Sequence, residues 1–270
     1  MPTALLESWR SIRIPVIGML HLPPLPGSPR YAGDIDAVRR RLLDDAGALV
    51  SGGVNGLMME NFGDAPFFPS AVPVHVVSHM TSLAVEVRRA HPHVPLGINV
   101  LRNDGVAALA VAHAVGASFI RVNILCGARV TDQGVIQGIA HDLLRLRQNL
   151  GAGHIRILAD VDVKHSAPLA QRAIEDEVAD TVERGLADAL VVSGSGTGKP
   201  VDADQLQRVK RAAGDCPVFL GSGVSTGTIG AYLPHIDGVI VGTSIKRDGK
   251  AEQPVDAQRV RALMQRVTPL

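Results

Sequence analysis

The chain has 270 residues, with 27 Lys and Arg against 26 Asp and Glu, a formal charge of +1 that leaves no basic tract able to neutralise a run of nucleic-acid phosphates. Apolar residues make up 46% and aromatics only 3%, so the interior must be built mainly from Ala, Val, Leu and Ile, the types that suit buried parallel strands and the helices packed on them. The apolar runs fall far short of the roughly 20 residues that span a bilayer, and the N-terminus, with Glu7, Arg10 and Arg13, does not read as a secretory signal. The expectation is a cytoplasmic protein with a small-molecule ligand, its two thiols, Cys126 and Cys216, reduced.

Taken in chain order, short apolar runs alternate with longer amphipathic ones. Strands are predicted at 15–21, 54–60, 95–101, 119–125, 155–161, 189–193, 217–221 and 238–242. Between them, 34–51, 73–90, 168–184 and 202–213 carry apolar residues at three and four residue spacings with an Asp or Pro near the start, and the last helix falls near 256–267. Gly52-Gly53, Gly116, Gly151, Gly185 and Gly214 stand where those helices should stop, supplying a left-handed cap. A strand, helix and parallel-strand unit repeated without reversal closes most simply into a single-domain (β/α)8 TIM barrel over 1–270, with a doubly wound sheet as the alternative. The proline-rich 21–29 and the 61–73 stretch are long loops after the first two strands, on the face where such barrels carry their chemistry.

At that face the strand ends offer His21, Glu60 with Asn61, Asn99 with Arg102, Arg121 with Asn123, then Asp160, Asp162, Lys164 and His165. The last three turns are rich in glycine and hydroxyls: Ser193, Gly194, Ser195, Gly196, Thr197 and Gly198, then Gly221, Ser222 and Gly223, then Gly242, Thr243 and Ser244. Small residues let backbone amides approach an anion and hydroxyls add donors, so these turns are expected to hold a phosphate, with Lys246 adding charge. The alternative is that they are merely tight turns.

Arg121 and Asn123 share one face of a strand, and an arginine aimed into a barrel needs a counter-charge, for which Glu60 and Asp160 are the candidates. Such a network either serves catalysis or only fixes the barrel. If the strand continues, Asp160, Asp162 and Lys164 point to one side with His165 beside them, placing acid, base and amine together for proton transfer or Schiff-base formation. The alternative leaves Lys164 solvated and paired with Asp162. His21, Glu60, Asp160, Asp162 and His165 are also metal-ligand types, but they show no compact spacing; no cofactor and no metal ligand is assigned, and a divalent metal stays open.

The motifs VIGMLHLPPLPGSP at 16–29, ENFGDAPF at 60–67, GINVLRND at 97–104, FIRVN at 119–123, ADVDVKH at 159–165 and DGVIVGTSIK at 237–246 resemble those of the BtpA/SgcQ family over nearly the full chain. The resemblance implies a TIM barrel, with one branch named for photosystem I biogenesis and another associated with a sugar-uptake gene cluster. The turns also look like those of phosphate-binding barrels such as the tryptophan synthase α subunit. Three functions follow as expectations: an isomerase, epimerase or aldolase-type lyase acting on a phosphorylated sugar or related metabolite; a non-catalytic photosystem or membrane-complex biogenesis factor; or a metal-dependent nucleotide or nucleoside hydrolase. A homo-oligomer is left open, Phe67-Phe68-Pro69 being either a partner contact or a lid.

Overall fold

The computed structural model describes residues 4–194, 196 and 201–267. Eight parallel strands close a barrel: β1 Val16–His21, β2 Gly56–Glu60, β3 Leu96–Asn99, β4 Phe119–Val122, β5 Arg156–Val161, β6 Ala189–Val192, β7 Val218–Leu220 and β8 Gly238–Val241. Each pairs with its neighbours in sequence, and β8 returns to β1. Helices α1 Ile35–Gly52, α2 Val74–Ala90, α3 Gly105–Val115, α4 Ala140–Asn149, α5 Ile174–Ala179, α6 Ala203–Ala212, α7 Ile229–Tyr232 and α8 Ala257–Val267 complete the units.

Side-chain alternation divides the strands between two apolar cores. Outward residues such as Leu20, Leu57, Met59 and Ile98 pack under the helices against Leu42, Leu49, Met80 and Leu83. Inward residues Ile17, Met19, Met58, Phe119, Leu158, Val191, Phe219 and Ile240 fill the barrel. At the strand-start end, Trp9 (2% exposed) plugs it, its ring 5.9 Å from that of Phe119 and its Nε1 donating to Asn55 O at 3.0 Å.

Two residues further along β1 to β6 the inward positions turn polar, whereas β7 and β8 place Gly221 and Gly242 there. His21, Glu60, Asn99 and Arg121 form one level of the barrel, since the register sets His21 beside Glu60, Glu60 beside Asn99 and Asn99 beside Arg121. The same alternation delivers Asp160 from β5. The sequence of layers is therefore an apolar floor under a polar mouth.

Helix boundaries follow the predicted caps in most units. Asp34 accepts the Ala37 amide at 2.9 Å to start α1, and Gly53 ends it at φ 96°. The 168–184 prediction needs correcting: Ser166–Pro168 is a short strand, α5 starts only at Ile174, and the segment ends in a π turn over Asp180–Arg184. Gly185 stays right-handed at φ −81°, and the left-handed residue is Leu186. A small antiparallel sheet of Ala128–Thr131, Gly134–Gln137 and Ser166–Pro168 lies beyond β4 and β5, where no strand was predicted. Among the described residues no helix is long and apolar enough to cross a membrane.

Candidate functional site

The loops over the mouth are tied to one another by side chains. Asp64 accepts the Leu25 amide at 2.8 Å and Asn61 Nδ2 at 3.2 Å, while Asn61 Oδ1 accepts the Leu101 amide at 2.7 Å, so the loops after β1, β2 and β3 are fastened to one another. Gly63 permits the close approach, because a Cβ there would stand 2.8 Å from the Leu22 carbonyl oxygen. Asn103 bridges onward, donating to Ile124 O at 2.9 Å and accepting the Ile124 amide at 2.8 Å.

Within this frame the polar layer forms two linked groups. Arg121 donates from Nε and Nη2 to the two oxygens of Asp160 at 2.9 and 3.0 Å, and Asn123 Nδ2 donates to Asp160 at 2.6 Å. Asp160, not Glu60, is thus the counter-charge of Arg121, whose ionised form burial opposes and Asp160 restores. Glu60 accepts Asn99 Nδ2 at 2.6 Å and stands 3.8 Å from His21 Nε2. Burial, then Lys246 and Lys164, hold His21 well below its ordinary value, so that contact is a neutral imidazole beside a carboxylate. The imidazole stacks on Phe62 at 4.5 Å.

Two cavities open above this layer. The first, of about 680 Å³, runs under the turns after β7 and β8 and is lined by Gly221 to Thr226 and Gly242 to Ile245, with Arg259 of α8 at its edge. Among the described residues, the amides of Gly223, Thr243 and Ser244 have no acceptor, and the buried Ser244 Oγ has no partner. The second, of about 660 Å³, lies under the loops after β1, β2 and β3, between Leu22, Phe62, Phe67, Leu101 and Arg102. His21, Glu60, Arg121 and Lys164 line both cavities and form the floor where the lobes meet. Lys164 is pulled below its ordinary value by burial and then by Arg121.

Several expected positions lie elsewhere. The strand alternation breaks at Asp162, which takes φ 49° and turns away from Asp160 to Arg129 and to Gln205 Nε2, which donates at 2.8 Å. Lys164 therefore has no pairing with Asp162, and the acid, base and amine on one side reduce to Asp160 and Lys164. His165, also at positive φ, is exposed at the edge of the second cavity. Lys246 is fully buried with Nζ 3.5 Å from Asp45 of α1, so it ties the 247–255 segment to the barrel and does not line the first cavity. Ser193 and Gly194 line a smaller pocket beside Lys164 and His165, although Ser193 Oγ also accepts Arg121 Nη2 at 3.5 Å. Ser195, Thr197 and Gly198 lie outside the described residues. Ser222 Oγ donates to Gly196 O at 3.2 Å, bringing the β6 turn against the β7 turn. Arg102, read from the sequence as a strand-end residue of this face, was given no role there, and it lies in the turn after β3; Arg259 was not singled out, and nothing in the pattern of α8 marks it. Among the described residues no three His, Cys, Asp or Glu side chains gather in a way that could hold a metal ion.

The pattern of the BtpA family matches residues 12–269. A protein of Thermococcus kodakarensis is 49% identical over 253 residues, 94% of this chain and 95% of its own. Photosystem I biogenesis protein BtpA of Synechocystis sp. is 48% identical over 251 residues, 93% of this chain and 87% of its own. Among solved structures, (S)-3-O-geranylgeranylglyceryl phosphate synthase of Thermoplasma acidophilum, in complex with sn-glycerol-1-phosphate, superposes with a TM-score of 0.60 over 100% of both chains at 14% identity. N-(5'-phosphoribosyl)anthranilate isomerase of Pyrococcus furiosus superposes with a TM-score of 0.58 over 95% of this chain and 100% of that one, at 11% identity. Likeness at such identities establishes the TIM barrel and nothing finer.

Proposed function

The chain belongs to the BtpA family, and we propose that its barrel mouth binds a phosphorylated sugar or related small metabolite and moves a proton beside its carbonyl, as an isomerase, epimerase or aldolase-type lyase does. The observation that carries this reading is the shared floor: Glu60, Arg121 and Lys164 border the cavity whose far wall is the β7 and β8 turns. Phosphate held by the amides of Gly223, Thr243 and Ser244 and the Ser244 hydroxyl would leave the rest of the ligand lying over these three side chains.

There the Glu60 carboxylate accepts a proton from the carbon next to the carbonyl, and its bond to Asn99 fixes the oxygen that remains. The electron pair left on carbon moves to the carbonyl oxygen, where Lys164 donates a proton, burial having lowered its pKa and so made it a stronger acid than a free lysine. Arg121, immobilised on Asp160, supplies fixed positive charge toward the developing oxyanion. The hydroxyl on the carbon that lost its proton then gives its own proton to the neutral Lys164 amine as that carbon becomes the carbonyl, and protonated Glu60 returns its proton to the former carbonyl carbon, which completes an isomerisation with both side chains in their starting states.

The test is solvent exchange. A panel of aldose and ketose phosphates in deuterated buffer should lose a C–H proton signal beside the carbonyl for at least one member, and Glu60→Gln should abolish the loss while phosphate still binds. Ligands that bind without any exchange would refute the enzyme reading. A second reading follows the name of the cyanobacterial relative and makes the chain an assembly factor. Under it, Asp160→Asn and Lys164→Ala leave the phenotype intact, whereas surface substitutions on a helix abolish it. The hydrolase reading needs a bound metal, and the described side chains offer no three-ligand cluster in its support.

A further inference from the structure

Among the described residues no carboxylate comes within ion-pair distance of Arg102, a buried cation. Only 4% of it is exposed, Nη2 donates to the Lys164 carbonyl at 2.6 Å, and Nε is buried without a partner. Asp160, Asp132 and Glu60 reach it only through space, and each is engaged elsewhere: Asp160 by Arg121 and Asn123, Glu60 by Asn99, and Asp132, at the rim of the same lobe, by the Gln133 amide side chain. The other arginines of the same lobe have protein partners: Arg41 donates to Asp45 at 3.0 Å and to Glu252 O at 3.2 Å, and Arg30 donates to Ala65 O at 3.3 Å. A guanidinium left uncompensated beside apolar walls is costly unless something else completes it. Asn123, whose Oδ1 is also buried and without a donor, lines the same lobe.

We propose that the second lobe is an anion subsite in which Arg102 binds a carboxylate or a second phosphate at the end of the ligand remote from the first phosphate, so that the ligand class is a doubly anionic phosphorylated metabolite. This rests on the phosphate reading of the first lobe. The planar fork of arginine matches the two oxygens of a carboxylate or phosphate, and Leu101, Phe62 and Phe67 thin the water around the pair and strengthen it. Asn123 Oδ1 accepts a hydroxyl of the linking chain. Arg102 also struts the Lys164 loop through the Nη2 bond, and a role limited to that would affect all ligands alike.

Three six-carbon probes that differ only at carbon one separate the possibilities by calorimetric titration: sorbitol 6-phosphate, 6-phosphogluconate and sorbitol 1,6-bisphosphate, with inorganic phosphate alongside. At least one of the two doubly anionic probes binds about tenfold or more tightly than sorbitol 6-phosphate, and whichever leads identifies carboxylate or phosphate as the second group. Arg102→Met erases the preference and Arg102→Lys keeps part of it. Equal affinities for all three, or a preference that survives in a folded Arg102→Met variant, would overturn the subsite while leaving the first lobe intact. If Arg102→Met does not fold, the wild-type ranking and Arg102→Lys decide. Failure of every probe, inorganic phosphate included, would remove the phosphate reading and this inference with it.

Discussion

Arg121 and Asp160 face each other inside the barrel as a two-pronged ion pair, Nε to Oδ1 at 2.9 Å and Nη2 to Oδ2 at 3.0 Å, with side chains 3% and 0% exposed. Each charge is tolerable only because of the other. Asp160→Ala strands the guanidinium and should destabilise the protein by about 3–5 kcal/mol in urea unfolding, whereas the double change Arg121→Met, Asp160→Leu should cost far less. Similar losses in the single and double variants would show that the pair is not the coupled unit its geometry implies.

His21 sets a pH dependence of definite sign. Its folded-state pKa is held well below the ordinary 6.5, so the unfolded chain takes up a proton that the folded chain refuses. The contribution is neutral above about pH 6.5 and becomes destabilising as the pH falls below that value. The urea midpoint should therefore drop less between about pH 7 and pH 5 in His21→Gln than in the wild type. Parallel drops would contradict the assignment.

Two positions in the first lobe separate binding from stability. Gly223 stands at φ 69°, where a branched side chain is strained by roughly 1–2 kcal/mol. Gly223→Val should lose that much stability and also the thermal protection given by inorganic phosphate. Ser244→Ala removes a hydroxyl that has no protein partner, so stability should hold while phosphate affinity falls by about tenfold, the effect of one hydrogen bond to a charged group. Unchanged affinity in Ser244→Ala would place the anion elsewhere.

At the opposite end, Trp9 acts on the fold alone. Trp9→Ala empties the space against Phe119 and Phe219 and leaves the Asn55 carbonyl without its donor. A loss of about 3–5 kcal/mol is expected, with the phosphate affinity of the surviving folded protein unchanged. Loss of binding in a folded variant would mean that floor and mouth are coupled.

The barrel was legible because β1 to β8 are short, apolar and interrupted by Asp caps and glycine stops, signals that survive in any tertiary setting. The polar mouth was legible for the same reason: the period-two alternation carries Met19 to His21, Met58 to Glu60 and Phe119 to Arg121. Alternation failed at Asp162, where a left-handed residue ends the strand and hands the carboxylate to Arg129. That exchange depends on a partner 33 residues away, which no local pattern encodes. Lys246 was misplaced by the same kind of distant partner, Asp45 on the first helix. The short strands at Ala128–Thr131 and Gly134–Gln137 carry mixed polar and apolar residues with one buried face, a weak signal beside the barrel strands.

Amide resonances followed during titration with inorganic phosphate test the central claim most directly. Gly223, Thr243 and Ser244 should shift together and saturably, with one dissociation constant, while amides at the Trp9 end stay still. Shifts absent from all three, or confined to residues outside the β7 and β8 turns, would contradict the phosphate site on which the proposed chemistry depends.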